Sequence, residues 1–187
     1  LFIKKARYTM TLSQSLPLSA YGNKMLALRA QAEVRNRWLK QRLDEFLPHL
    51  MAREHVDMWL IVAREYNEDP VIMTFLPEPA MAARRRTMLV FTRQVDGAVE
   101  RLTLDRYGHG DYYHKGWDPD QEDQFVCLDR VVRERDPQSI ALNYADEFPF
   151  GDGLSHSEYG RVIAALGEPY ASRVQSAERL CVGWLEH

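Results

Sequence analysis

A chain of 187 residues, 45% of them hydrophobic, is long enough to bury one core and sits near the upper size of a single domain. Its net charge of -3 lacks the basic stripe that nucleic acid requires, and no apolar stretch approaches the roughly 20 residues that cross a bilayer. Cys127 and Cys181 lie within amphipathic patterns, as small core residues do, which fits a reducing, cytoplasmic compartment; export is the alternative if a leader is removed ahead of Leu1.

Residues 1–23, with Pro17 and Gly22 and no sustained period, read as an irregular arm. From Lys24 a helical pattern takes over, in which Val34, Trp38, Leu39, Leu43, Phe46, Leu47, Leu50 and Met51 form one face of a long helix covering a sheet. Pro48 removes a backbone donor and predicts a kink or restart. Met58 to Ala63 follows as a central strand, apolar on both faces, as a strand covered by helices on both sides must be. It exits into Glu65, Tyr66 and Asn67 at the end of the strand where ligand crevices of open α/β sheets lie, although turn chemistry alone accounts for these residues. Asp69-Pro70 predicts a helix start, with Val71, Ile72 and Phe75 on one face and Pro77 and Pro79 ending it. The basic run Arg84-Arg85-Arg86 reads as a solvated lead into the next strand or as an anion contact. Strands over Thr87–Thr92 and Ala98–Asp105 join through the hairpin signal Asp96-Gly97.

Arg106 to Trp117, rich in Gly, His and Tyr, reads as a surface loop. Asp118-Pro119 predicts the next helix start; Asp118, Asp120, Glu122 and Asp123 then complement its dipole in the first turn, and Phe125, Leu128, Val131 and Val132 share its buried face as far as Asp136-Pro137. Ser139 to Asn143 reads as a short strand. Ser155 and Glu158 have capping-box spacing, Leu154 is positioned to staple onto Tyr159, and Gly167 stands where a left-handed cap belongs. Arg173 to Gln175 reads as a last strand, after which Ser176 caps a helix carrying Leu180, Cys181, Trp184 and Leu185. That helix stops with Trp184 expected to face a partner, so 24–175 reads as the domain and 176–187 as the start of a linker helix in a longer protein. Leu185-Glu186-His187 also matches the start of a cloning tag.

Typical catalytic patterns are sparse. His109, Asp111 and His114 form the only close grouping of metal-ligand types, but histidines five apart share no helical face and no Cys completes a zinc pattern. An independent hydrolase built on these three is the reading that would use them. No Ser sits in a nucleophile elbow, and Gly151-Asp152-Gly153 is a weak phosphate-loop signal that turn geometry explains.

The order helix, strand Val56–Val62, polar Glu65-Tyr66-Asn67, short helix, strand Thr87–Phe91, followed by the tail Ser176–Glu186, resembles the N-terminal domain of the creatinase/prolidase family of pita-bread metallopeptidases, nearest to Xaa-Pro aminopeptidase-like members. The resemblance implies an α/β fold, a single domain with a mixed sheet of about five to six strands flanked by helices. It implies a non-catalytic role in oligomerisation and in partly covering an active site. The two divalent metal ions of the family (Mn, Co or Zn), held by two Asp, one His and two Glu, would lie in a C-terminal catalytic domain outside this chain, which itself carries no cofactor. The partners it implies are that domain, a second copy in a homodimer or larger assembly, and a peptide substrate of the parent; neither nucleic acid nor membrane is among them. Within the chain it implies Phe75 as a wall for a proline side chain and Arg84 as a carboxylate contact in a neighbouring subunit's site. The alternative is a stand-alone interaction module derived from an inactive aminopeptidase-like domain.

Overall fold

The computed structural model of the chain describes residues 22, 25–80 and 82–187, so the arm read over 1–23 lies, apart from Gly22, outside them. The long N-terminal helix is two α-helices, α1 (Leu28–Gln41) and α2 (Leu47–Arg53), joined by a widened π turn over Arg42–Phe46. The expected disturbance by Pro48 falls one turn ahead of it. Proline crowds the carbonyl four residues earlier, here Asp44, and the wider turn takes up that clash without ending the helix.

The sheet has six strands: β1 (Met58–Arg64), β2 (Arg86–Arg93), β3 (Val99–Thr103), β4 (His114–Lys115), β5 (Ile140–Leu142) and β6 (Val174–Ser176). Their order across it is β4-β3-β2-β1-β5-β6. β2 runs antiparallel to β1 and β3, whereas β5 is parallel to β1 and β6, and β4 to β3, so the sheet is mixed. The architecture is the expected α/β one, a single body with helices on both faces of the sheet.

Strand β1 accounts for the two layers directly, because successive side chains point to opposite faces. Trp59, Ile61 and Ala63 pack into the layer beneath α1, α2 and the C-terminal helix α5 (Glu178–Glu186). Met58, Leu60 and Val62 pack into the layer beneath α3 (Gln124–Arg135) and α4 (His156–Leu166). Both cysteines are free and fully buried, Cys181 in the first layer and Cys127 in the second.

Several local expectations need correction. The helix after Asp69-Pro70 is only a 3-10 turn, Ile72–Thr74; the Asp69 side chain does cap it, accepting from the Val71 and Ile72 amides at 2.7 and 3.2 Å, but Pro77 leaves no room to propagate. α3 starts at Gln124 rather than Pro119, because Asp118 spends its side chain on a turn to the Asp120 amide while Asp123 caps the helix by accepting from the Phe125 amide at 2.8 Å. Asp118, Asp120 and Glu122 therefore precede the helix. The loop 106–117 contains β4 and a 3-10 turn at Gly110–Tyr112. Ser155 stands at the N-cap of α4 but makes no side-chain cap, and Glu158 does not fold back to complete a box; it is drawn into an ion-pair cluster instead. Gly167 has the positive φ foreseen, 55°, with an extended ψ of -173° in place of a left-handed one. Ala177 occupies the N-cap of α5, while the Ser176 hydroxyl accepts from the Glu178 amide at 3.1 Å. Trp184 faces no outside partner: it is fully buried, stacked on Phe75 at 4.0 Å, with Nε1 donating to the Thr74 hydroxyl at 2.7 Å.

Candidate functional site

The hairpin order of the sheet gathers arginines at one end. β1 finishes at Arg64, antiparallel β2 begins at Arg86, and these two are direct partners across the ladder. Arg84 and Arg85 lead into β2 at the same edge, and β3, antiparallel to β2, delivers Arg106 and Tyr107 beside them. The result is a cleft of about 660 Å³ lined by five guanidinium groups, with Tyr107, Trp117, Asp123 and Gln124 as its other walls.

Two of the five cations are held from beneath. Glu158, almost wholly buried on α4, receives Arg86 through Nε at 2.6 Å and Nη2 at 3.1 Å, and Arg64 approaches the same carboxylate at 3.6 Å. Arg161 adds a third contact at 3.2 Å. Gln124 locks the arrangement by accepting from Arg86 Nη1 at 3.3 Å and donating to the Arg86 carbonyl at 3.0 Å. Arg86, read from sequence as part of a solvated run or an anion contact, is thus a structural cation whose planar fork is matched by a carboxylate.

Arg84, Arg85 and Arg106 are exposed and have no ion-pair partner among the described residues. Arg84 lies over the Tyr107 ring at 5.3 Å, and Arg85 adopts φ 57°, the left-handed region that residues other than glycine seldom occupy. Tyr66, in the turn that ends β1, has φ 67° and is 93% exposed. Glu65 braces the Arg85 backbone: its amide donates to the Arg85 carbonyl at 2.9 Å and its carboxylate accepts from the Arg85 amide at 3.1 Å. Of the polar exit of β1, Glu65 therefore serves to hold one of the cleft's arginines.

A second groove of about 610 Å³ continues past Arg84 and Tyr107 toward Pro77, Pro79 and Tyr112. At its base the buried His109 Nε2 lies 2.7 Å from Asp105 Oδ2. Burial pushes the Asp105 carboxyl up, and the neighbouring His109 with the Gly108 amide more than offsets it, leaving the group below its ordinary range. Asp111 and His114 are both exposed, so the three ligand-type residues do not share an environment. Among the described residues no group of three His, Cys, Asp or Glu side chains could hold a metal ion.

Of the two side chains the resemblance singled out, Arg84 stands at the junction of both grooves, and Phe75 does not. Phe75 exposes no surface; its ring is packed between Trp184, Trp59 and Phe91, and a substrate wall needs a free face. Sequence reasoning missed Arg64, Arg106, Glu158 and Tyr107. The available signal was the hairpin itself, which obliges the end of β1, the start of β2 and the end of β3 to share one edge.

Beneath the other face, the Trp59 indole donates to Asn143 Oδ1 at 2.7 Å, and Asn143 Nδ2 donates to Asp69 Oδ2 at 2.8 Å. The indole can only donate, so it fixes the Asn143 amide and points its NH₂ at Asp69. Burial raises the Asp69 carboxyl from 3.8 to about 6 despite the opposing hydrogen bonds from Asn143 and the Val71 and Ile72 amides. Burial likewise pushes up both cysteine thiols, Cys127 to about 12, which makes neither a ready nucleophile.

Compared with models of known protein families the chain matches none, and no curated protein matches it.

Proposed function

We propose that the chain is the non-catalytic N-terminal domain of a pita-bread metallopeptidase of the Xaa-Pro aminopeptidase or dipeptidase type, serving assembly and partial covering of an active site built elsewhere in the parent protein. The observation that carries this reading is the architecture: a six-stranded mixed sheet with helices on both faces, reached through the element order from which the resemblance was drawn. Two surface features support it further. Large apolar side chains, Leu28 and Trp38 among them, lie exposed on α1, as an assembling surface requires. Arg84 projects from the junction of two grooves with its charge unpaired among the described residues, where it can meet a peptide carboxylate supplied from a neighbouring subunit.

In this reading the family's two divalent metals belong to the catalytic domain, and no step of hydrolysis runs through residues of this chain. No helix among the described residues is long and apolar enough to cross a membrane. Sequencing the coding region beyond the His187 codon tests the proposal. A following segment with two Asp, one His and two Glu in the family's metal-binding pattern is expected; a following segment of unrelated sequence overturns it.

A further inference from the structure

We infer that the arginine cleft is a binding site for a small phosphorylated ligand bearing a flat ring, of nucleotide type. This inference does not rest on the peptidase reading; the two share Arg84 alone, so the variants that test it are at Arg85, Arg106 and Tyr107. The charge count selects the ligand. Glu158 satisfies Arg86 and partly satisfies Arg64, and Asp123, which also lines the cleft, caps α3 through the Phe125 amide, which leaves Arg84, Arg85 and Arg106 facing one cleft with no carboxylate paired to them among the described residues. A single carboxylate would neutralise one of these. A phosphate monoester carries about 1.5 to 2 negative charges and accepts from several forks at once, so one or two linked phosphates match the set.

The walls select the rest of the molecule. Trp117 is held in place by its Nε1 donating to the Glu122 carbonyl at 2.9 Å, and Tyr107 is half exposed beneath Arg84. Two aromatic side chains lining a cationic cleft suit a flat ring joined to a phosphate. The cleft's 660 Å³ accommodates a ligand of that size.

Isothermal titration calorimetry on the whole chain tests the inference, with inorganic pyrophosphate, a nucleoside triphosphate, citrate and a single-stranded oligonucleotide as probes. Pyrophosphate and the nucleoside triphosphate are expected to bind, the latter more tightly. Arg85→Ala and Arg106→Ala should each weaken both by about tenfold. Tyr107→Ala should weaken only the nucleoside triphosphate, and Arg37→Ala, on the exposed side of α1, should change nothing. Absence of binding, citrate binding as tightly as pyrophosphate with no effect of the Arg variants, or an oligonucleotide binding where the nucleoside triphosphate does not, each overturns the site. A nucleoside triphosphate no tighter than pyrophosphate overturns the ring.

Discussion

Arg64 and Arg86 stand directly opposite each other across the β1–β2 ladder, and the buried carboxylate of Glu158 holds both. Like charges at facing positions destabilise a sheet, so the pair exists by virtue of the third residue. Removing one member of a buried, hydrogen-bonded ion cluster leaves the rest uncompensated, and Glu158→Ala should lower the unfolding free energy by about 3–5 kcal/mol in urea denaturation. A loss below about 0.5 kcal/mol would mean that solvent already screens these charges.

Phe75 and Trp184 are stacked in the centre of one core layer. Phe75→Ala should cost about 3–5 kcal/mol, since the cavity it leaves is enclosed by Trp59, Phe91 and Trp184 and cannot readily collapse. Thermal denaturation that left the variant as stable as the parent would put this ring at a surface.

The pH dependence of stability carries a signature of Asp69. Its folded carboxyl titrates at about 6 against 3.8 ordinarily, so between those values the folded chain holds a proton that the unfolded chain has released. Stability from this group is therefore full below about pH 4, falls as pH rises through 6, and levels off above, for a difference of about 3 kcal/mol. Asp57 and Asp44 are shifted downward and act in the opposite sense, so the informative quantity is the difference between the parent and Asp69→Asn. That difference should change across pH 4 to 6.5 in urea titrations; a flat difference would contradict the buried, proton-holding carboxyl.

Two glycines predict opposite signs for one substitution. A Cβ at Gly153 would lie 2.9 Å from the Asp69 Cα and closer still to its carboxylate, so Gly153→Ala should cost at least about 1–3 kcal/mol. Gly160 sits exposed within α4 with open space around it, and Gly160→Ala should gain about 0.5–1 kcal/mol. Melting temperatures of the two variants should move in opposite directions.

Most of the architecture was legible because it follows from local rules. The unbroken apolar run from Met58 to Ala63 declares a strand buried on both faces, Asp96-Gly97 declares a hairpin, and the helical faces of α3, α4 and α5 are plain in their apolar spacing. What escaped depends on tertiary competition. Glu158 has the spacing of a capping partner, but Arg86 offers it a bidentate match that a backbone amide cannot equal. β4 is two residues long and exists only because β3 offers an edge for it. Phe75 and Trp184, both read as outward-facing, meet each other instead, a contact spanning most of the chain. The cleft was half hidden for the same reason: the run Arg84-Arg85-Arg86 is plain in the sequence, but Arg64 and Arg106 join it only when the sheet forms.

The central claim, that this chain is an accessory domain whose parent cleaves Xaa-Pro peptides, is tested most directly by assaying Xaa-Pro hydrolysis with added manganese, for the chain alone and for the full-length protein encoded with it. The account predicts metal-dependent turnover by the full-length protein and none by the chain alone. Turnover by the chain alone, or its absence from the full-length protein, would contradict it.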